Sequence, residues 1–176
     1  SGATLKCYAL GQDNSPVITP TPDDMPKSVG RTTTPDHDIT TRQEVWRILL
    51  ELSEDISREL HKKGLYAGSV QLHTRDTSLR VKETARSLGS PTNAEILLAR
   101  RAMEIFDEVY EWALPLRSVG FRAVNLKSEN IGVQQDLFGG SENQDRTEKI
   151  DDSLYALRER FGNDSIKRGT VIDLEK

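Results

Sequence analysis

Thr41-Arg42-Gln43-Glu44 has the form of a helix start, in which a threonine hydroxyl and a glutamate carboxylate satisfy backbone N–H groups that the first turn leaves free. Behind it Val45, Ile48, Leu49, Leu52, Ile56 and Leu60 recur at helical spacing and make one apolar stripe. Lys62, Lys63 and Gly64 then end the segment, the cations matching the carbonyl end and the glycine allowing a left-handed stop. A stripe of that length has to be covered, so the flanking segments are read for the surface that covers it.

On the N-terminal side, residues 27–34 are rich in β-branched residues and read as a strand. On the C-terminal side, residues 67–75 and 79–88 alternate and read as two strands of a hairpin. Thr92-Asn93-Ala94-Glu95 is a second candidate capping box, followed by a stripe of Ile96, Ala99, Met103, Phe106 and Tyr110. Pro115 ends that region, and residues 116–126 read as a last strand. The order β-α-β-β-α-β predicts an α+β domain of the split βαβ, ferredoxin-like kind. It has a four-stranded sheet, two helices on one face and the other face open. Residues 13–26 hold four prolines and read as an extended linker. Residues 127–148 are polar, and Ile150, Leu154, Leu157 and Phe161 place one apolar side on a short third helix stopped by Gly162.

The 176 residues suit one domain with appendages. No apolar run approaches the roughly 20 residues of a membrane span, and the start lacks a signal pattern, so a cytoplasmic location is expected. Cys7 is the single cysteine, and His37, His61 and His73 are scattered, which gives neither an internal disulfide nor a zinc spacing. The acidic pairs Asp23-Asp24, Glu54-Asp55, Asp107-Glu108 and Asp151-Asp152 lie in a linker or in helices with basic neighbours, and read as surface or cap charges. No phosphate-binding glycine loop and no nucleophile–base set occurs, so the residues offer no catalytic centre.

The net charge of −4 hides a pattern. Residues 27–127 carry 16 basic and 14 acidic groups, while both flanks are acidic. Local potential decides whether phosphate is attracted. In 79–88, alternation puts Arg80, Lys82, Thr84 and Arg86 on one face, and in 67–75 it puts Gln71, His73 and Arg75 on one face. Ser28, Gly30 and Thr32 share a face of the first strand and are small, which admits a phosphate close to the backbone. Arg117 and Arg122 differ in parity and share a face only across a bulge. No Phe, Trp or Tyr falls between residues 67 and 88, against base stacking and for backbone contact. The same pattern also fits a solvated face with cations for solubility. In the polar tail, Leu137 and Phe138 of QQDLF stand alone. They fit either a peptide that docks in a partner's groove or a segment folded back on its own domain.

In order, the segments resemble the little finger domain of Y-family (translesion) DNA polymerases, most of all those of the DNA polymerase IV type. KSVGR (27–31) is similar to that domain's opening strand. RDTSLRVKETARSLGSPT (75–92) is similar to its central hairpin and second helix start, and LPLRSVGFRAVNL (114–126) to its closing strand. SGATLKCYALGQDNSPV (1–17) resembles the end of the thumb and the tether. QQDLF resembles the sliding-clamp peptide, and ERFGNDSIKRG (159–169) the tail of some bacterial members. The resemblance implies thumb end and linker over 1–26, a DNA-binding little finger over 27–127, and a clamp peptide with a terminal helix over 128–176.

It also implies that Ser28, Gly30 and Arg31, with Lys27 beside them, meet the phosphates of one strand of a primer–template duplex. Arg75, Arg80, Lys82, Thr84 and Arg86 would line the groove, and Arg117 and Arg122 would hold the opposite side. Gln134, Gln135, Asp136, Leu137 and Phe138 would form the clamp peptide. Two departures stand out: Glu83-Thr84 where the family often has Ser-Arg, and Gln135 where leucine is usual. The family's palm, with its magnesium carboxylates, has no counterpart among these residues. The expectation is therefore a chain that needs no cofactor and is inactive alone, whose parent enzyme is a magnesium-dependent DNA polymerase. An interaction domain that binds protein and not nucleic acid is the alternative. A stand-alone enzyme is a weaker third.

Overall fold

The stripe behind Thr41 finds its cover in a four-stranded antiparallel sheet. The computed structural model describes residues 2–13, 16, 25–128 and 141–166. Helix α1 (Gly2–Ala9) is followed by β1 (Ser28–Thr33), α2 (Arg42–Lys62), β2 (Leu65–Asp76), β3 (Val81–Thr92), α3 (Glu95–Val109), β4 (Leu116–Ser128) and α4 (Ser141–Phe161). A 3-10 turn, Asn163–Ser165, comes last. The sheet order is β1-β4-β2-β3, so β1 and β3 are its edges. Every pairing is antiparallel. It follows that β1 and β2 run parallel with β4 between them, and β3 and β4 run parallel with β2 between them. The two β-α-β units thus interleave, which is the split arrangement expected from the order of elements.

Helices α2 and α3 lie on one face. From α2, Val45, Leu49, Ile56 and Leu60 are fully buried, and Ile48 and Leu52 pack half-buried beside them. From the sheet, Val29, Val70, Leu72, Val119, Phe121 and Ala123 meet them. Each such side chain contributes about 1.5–3 kcal/mol by leaving water. The buried arc of α3 is wider than the predicted stripe, because that helix touches both the sheet and α2. Leu98, Ala102 and Ile105 are buried as well as Ala99, Met103 and Phe106, while Ile96 and Tyr110 are only half-buried.

Local signals act where the sequence puts them, with one exception. Thr41 Oγ1 accepts from Glu44 N at 3.3 Å. The Glu44 carboxylate accepts from Thr40 N at 3.4 Å, one residue ahead of the box pattern. Gly64 takes a φ of 60° after α2, a conformation that favours glycine. The β2–β3 turn is held by Asp76, whose Oδ1 accepts from Ser78 Oγ at 2.6 Å and Arg80 N at 3.0 Å. The exception is the second capping box. The N-cap of α3 is Ala94, with no side-chain cap, while Thr92 Oγ1 accepts from Ala94 N at 3.2 Å.

The missing cap comes from α4. Asp151 Oδ2 accepts from Glu95 N at 3.0 Å and from Ser57 Oγ at 3.3 Å. Two turns on, the buried Arg158 donates from Nη1 to Glu95 Oε2 at 3.2 Å and sits 3.5 Å from Glu54. Tyr155 stacks on His61, with ring centroids 4.7 Å apart. Helix α4 therefore docks by a polar side. The apolar side expected to pack points the other way: Ile150 is 52% exposed and Phe161 63%. A buried carboxylate and guanidinium dock only where partners are already in place, and the free N–H groups at the start of α3, with Glu95 and Glu54, supply them.

Candidate nucleic-acid interface

Residues opposite one another in an antiparallel ladder share a face, so the buried core fixes which side each strand residue occupies. Val70 pairs with Arg86 and Leu72 with Thr84, and Thr74 pairs with Lys82. Val70, Leu72 and Thr74 are buried beneath the helices. Lys82, Thr84 and Arg86 do share a face, but it is the helix side. Lys82 Nζ donates to Val109 O at 2.9 Å, and Arg86 lies 3.1 Å from Glu108, both at the carbonyl end of α3. The expectation that these residues sit with Arg75 on one surface is corrected by the register, which places them on the opposite side from it.

Three other arginines are also directed away from the open face or tied at its rim. Arg31 is opposite the buried Phe121 and binds Glu59 at 2.7 Å. Arg80 stands in the hairpin turn, where Nε donates to Ser78 Oγ at 3.0 Å. Arg117 falls in the register shift between Arg75–Ser118 and Asp76–Leu116, and donates to Pro35 O at 2.6 Å. A bulge does intervene between Arg117 and Arg122, yet it sends the Arg117 guanidinium to the β1–α2 connection. Lys27 is exposed just ahead of β1.

The open face includes four cross-strand rows. They are Ser28–Val124–Ser69–Ser87, Gly30–Arg122–Gln71–Ala85, Thr32–Gly120–His73–Glu83 and Ser118–Arg75–Val81. No Phe, Trp or Tyr occurs in these four rows; Tyr66, opposite Lys127, extends the same face beyond them. A Cβ on Gly30 would come within 2.5 Å of Arg122 Cβ, and one on Gly120 would strike Arg31 O and Thr32. Gly30 is exposed, and glycine there keeps this part of the surface flat and its backbone accessible, while the buried Gly120 makes room for Thr32. Arg122 is exposed, and neither it nor Arg75 forms an ion pair with a described residue. Arg75 Nε is enclosed without a hydrogen-bond partner. Among the arginines of the sheet, Arg31 and Arg86 on the helix side are paired with carboxylates while Arg75 and Arg122 on the open side are not, which leaves the open side of the sheet with guanidinium charge to offer.

One acid interrupts that charge. Glu83 Oε2 accepts from Gln71 Nε2 at 3.2 Å, and its Oε1 lies 3.2 Å from His73 Nδ1. Away from this face, Lys63 and then Arg31 hold the Glu59 carboxyl below its usual range. The Ser78 hydroxyl does the same to Asp76 in the turn. The side on which Glu83 falls was missed in the sequence. A four-residue turn, 77–80, places Gln71 opposite Ala85, and that spacing was the available signal. Gln134, Gln135, Asp136, Leu137 and Phe138 lie outside the described residues. Among the described residues no three His, Cys, Asp or Glu side chains are grouped to hold a metal, and no helix is long and apolar enough to cross a membrane.

A small-residue surface with unpaired arginines suits a sugar–phosphate backbone, whose contacts position without reading sequence. Comparison with known proteins identifies the family. A family model described as the impB/mucB/samB family C-terminal domain matches residues 26–137. A DNA polymerase IV of Acetivibrio thermocellus is 30% identical over 171 residues, covering 97% of this chain and 43% of that protein. Those of Alkaliphilus oremlandii and Dehalococcoides mccartyi are each 28% identical, with 97% of this chain covered and 44% and 42% of theirs. The chain spans about two fifths of the length of these relatives.

Proposed function

The chain belongs to the impB/mucB/samB family, carrying that family's C-terminal domain, and from this premise we propose that it grips duplex DNA by the backbone for a translesion polymerase. The open sheet face is the gripping surface. Arg122 and Arg75 meet phosphates, while Ser28, Gly30 and Thr32 let a strand approach β1. Lys27 extends the positive rim. Lys82, Arg86 and Arg31 act mainly within the domain, and Arg80 at the turn reaches the edge of the duplex. The observation that carries this reading is the pair of arginines left without carboxylate partners beside a glycine-flattened surface. In this reading nucleotidyl transfer, with its magnesium, belongs to parts of a whole polymerase other than these residues. The segment Gln134–Phe138 tethers the enzyme to a sliding clamp, with Leu137 and Phe138 as the apolar anchors.

The test is a salt series of duplex binding. Affinity should fall linearly on a double-logarithmic plot, and Arg75→Ala with Arg122→Ala should reduce the slope by about 2. Binding that ignores both salt and these substitutions would refute the backbone grip. In the same preparation, Leu137→Ala with Phe138→Ala should abolish clamp capture and leave DNA binding unchanged. A protein-binding role has one observation of its own, the outward Ile150, Leu157 and Phe161 of α4. It predicts a partner whose capture depends on those residues and not on Arg75 or Arg122.

A further inference from the structure

A carboxylate on the edge strand of a phosphate-binding face opposes the function of that face, so Glu83 needs a reason to be there. It is half-exposed, with 43% of its side chain open, and it is bracketed by two side chains of β2. Gln71 holds one oxygen and His73 lies against the other. The charged and titratable groups facing His73 can be named strand by strand. On β2 itself Arg75 lies two residues on along the same face; from β3 comes Glu83; from β4 comes Arg122 in the adjacent row; β1 contributes Thr32, which is uncharged. Glu83 is thus the acid beside the imidazole and Arg75 and Arg122 are the cations around it. Histidine is the side chain whose charge changes between about pH 5 and pH 8. When the ring is neutral, Glu83 leaves a negative charge on the surface. When the ring is protonated, the pair is neutral and the arginines act without opposition.

Resting on the reading that the open face grips DNA, we propose that Glu83 and His73 form a titratable brake on that grip. Neutral His73 leaves the brake on, and imidazolium releases it. The sign follows from the charges: duplex affinity rises as pH falls, because phosphate favours the form of the pair that carries no net negative charge.

The experiment measures duplex binding by the full 176-residue chain at one salt concentration, at about pH 5.5 and about pH 8. The unaltered chain should bind about fivefold more tightly at the lower pH, the effect of one charge screened by water at contact distance. Glu83→Gln should bind about fivefold more tightly than the unaltered chain at both pH values, because it removes the same negative charge in each. His73→Gln should lose the pH dependence, and His73→Lys should bind tightly at both. Arg75→Ala with Arg122→Ala serves as the reference. If that variant weakens binding but His73→Gln keeps the full pH response, or Glu83→Gln gains nothing, the brake is overturned and the gripping face survives. If the arginine variant binds like the unaltered chain, the gripping face itself is overturned.

Discussion

Replacing Asp151 with alanine isolates the contact by which α4 joins the domain. Asp151 is 5% exposed and provides the acceptor for Glu95 N that the N-cap residue, Ala94, does not. Removing an N-cap acceptor costs about 1 kcal/mol, and a hydrogen bond to a charged group about 1.5–3 kcal/mol. Ser57 Oγ keeps its 2.7 Å bond to Asn93 O, and Arg158 keeps Glu95, so neither is stranded. The expected loss is therefore about 2 kcal/mol, or a fall in Tm of about 4–8 °C for a domain of this size. Asp151→Asn keeps an acceptor without the charge and should lose about half as much. Asp152→Ala, beside it but exposed, should lose under about 0.5 kcal/mol. Urea denaturation gives the stabilities, and hydrogen exchange of the Glu95 amide gives the site. Asp151→Ala with unchanged stability and a still-protected Glu95 amide would refute the idea that α4 caps α3.

Two further outcomes follow from geometry on the sheet and on α2. Gly120→Ala forces a Cβ against Arg31 O and Thr32, backbone that cannot step aside without parting β1 from β4; it should cost about 1–3 kcal/mol in thermal or urea unfolding. Glu59 is held below its usual range first by Lys63 and then by Arg31, so its depressed folded value contributes stability above the unfolded carboxylate range, and that stability is lost as pH falls through about 4 and below. Lys63→Ala should raise the Glu59 titration midpoint measured by NMR and shift that acid loss to higher pH.

Much of the domain was legible in the sequence because its strongest signals are local. The Thr41 box, the α2 stripe and Gly64 report on themselves, and Val70 with Leu72 marks the inward side of β2. The open side of β3 was not legible for a physical reason. Alternation says which residues share a face and not which face that is, and an apolar set normally decides. Strand β3 is an edge strand with polar residues on both sides, Lys82 and Arg86 on one and Glu83 and Ser87 on the other. Only its pairing with β2 assigns them. The docking of α4 was illegible for another reason. Its contacts join Asp151 to Ser57 and Glu95, positions far apart in the chain, and an apolar stripe on the same helix suggested the wrong side. The family resemblance was carried by short motifs, and these identify the domain without orienting every side chain in it.

Among the described residues, both rims of the sheet keep a row of backbone groups with no neighbouring strand, the condition under which one molecule can extend its sheet into the next. Strand β1 offers only six residues for such growth. Strand β3 offers twelve, but Pro91 withholds a donor, and Lys82, Glu83 and Arg86 alternate sign along it. The side chains that look like ligands for nucleic acid also keep separate copies of this domain from knitting together, so a variant stripped of them to test binding would lose solubility as well as charge.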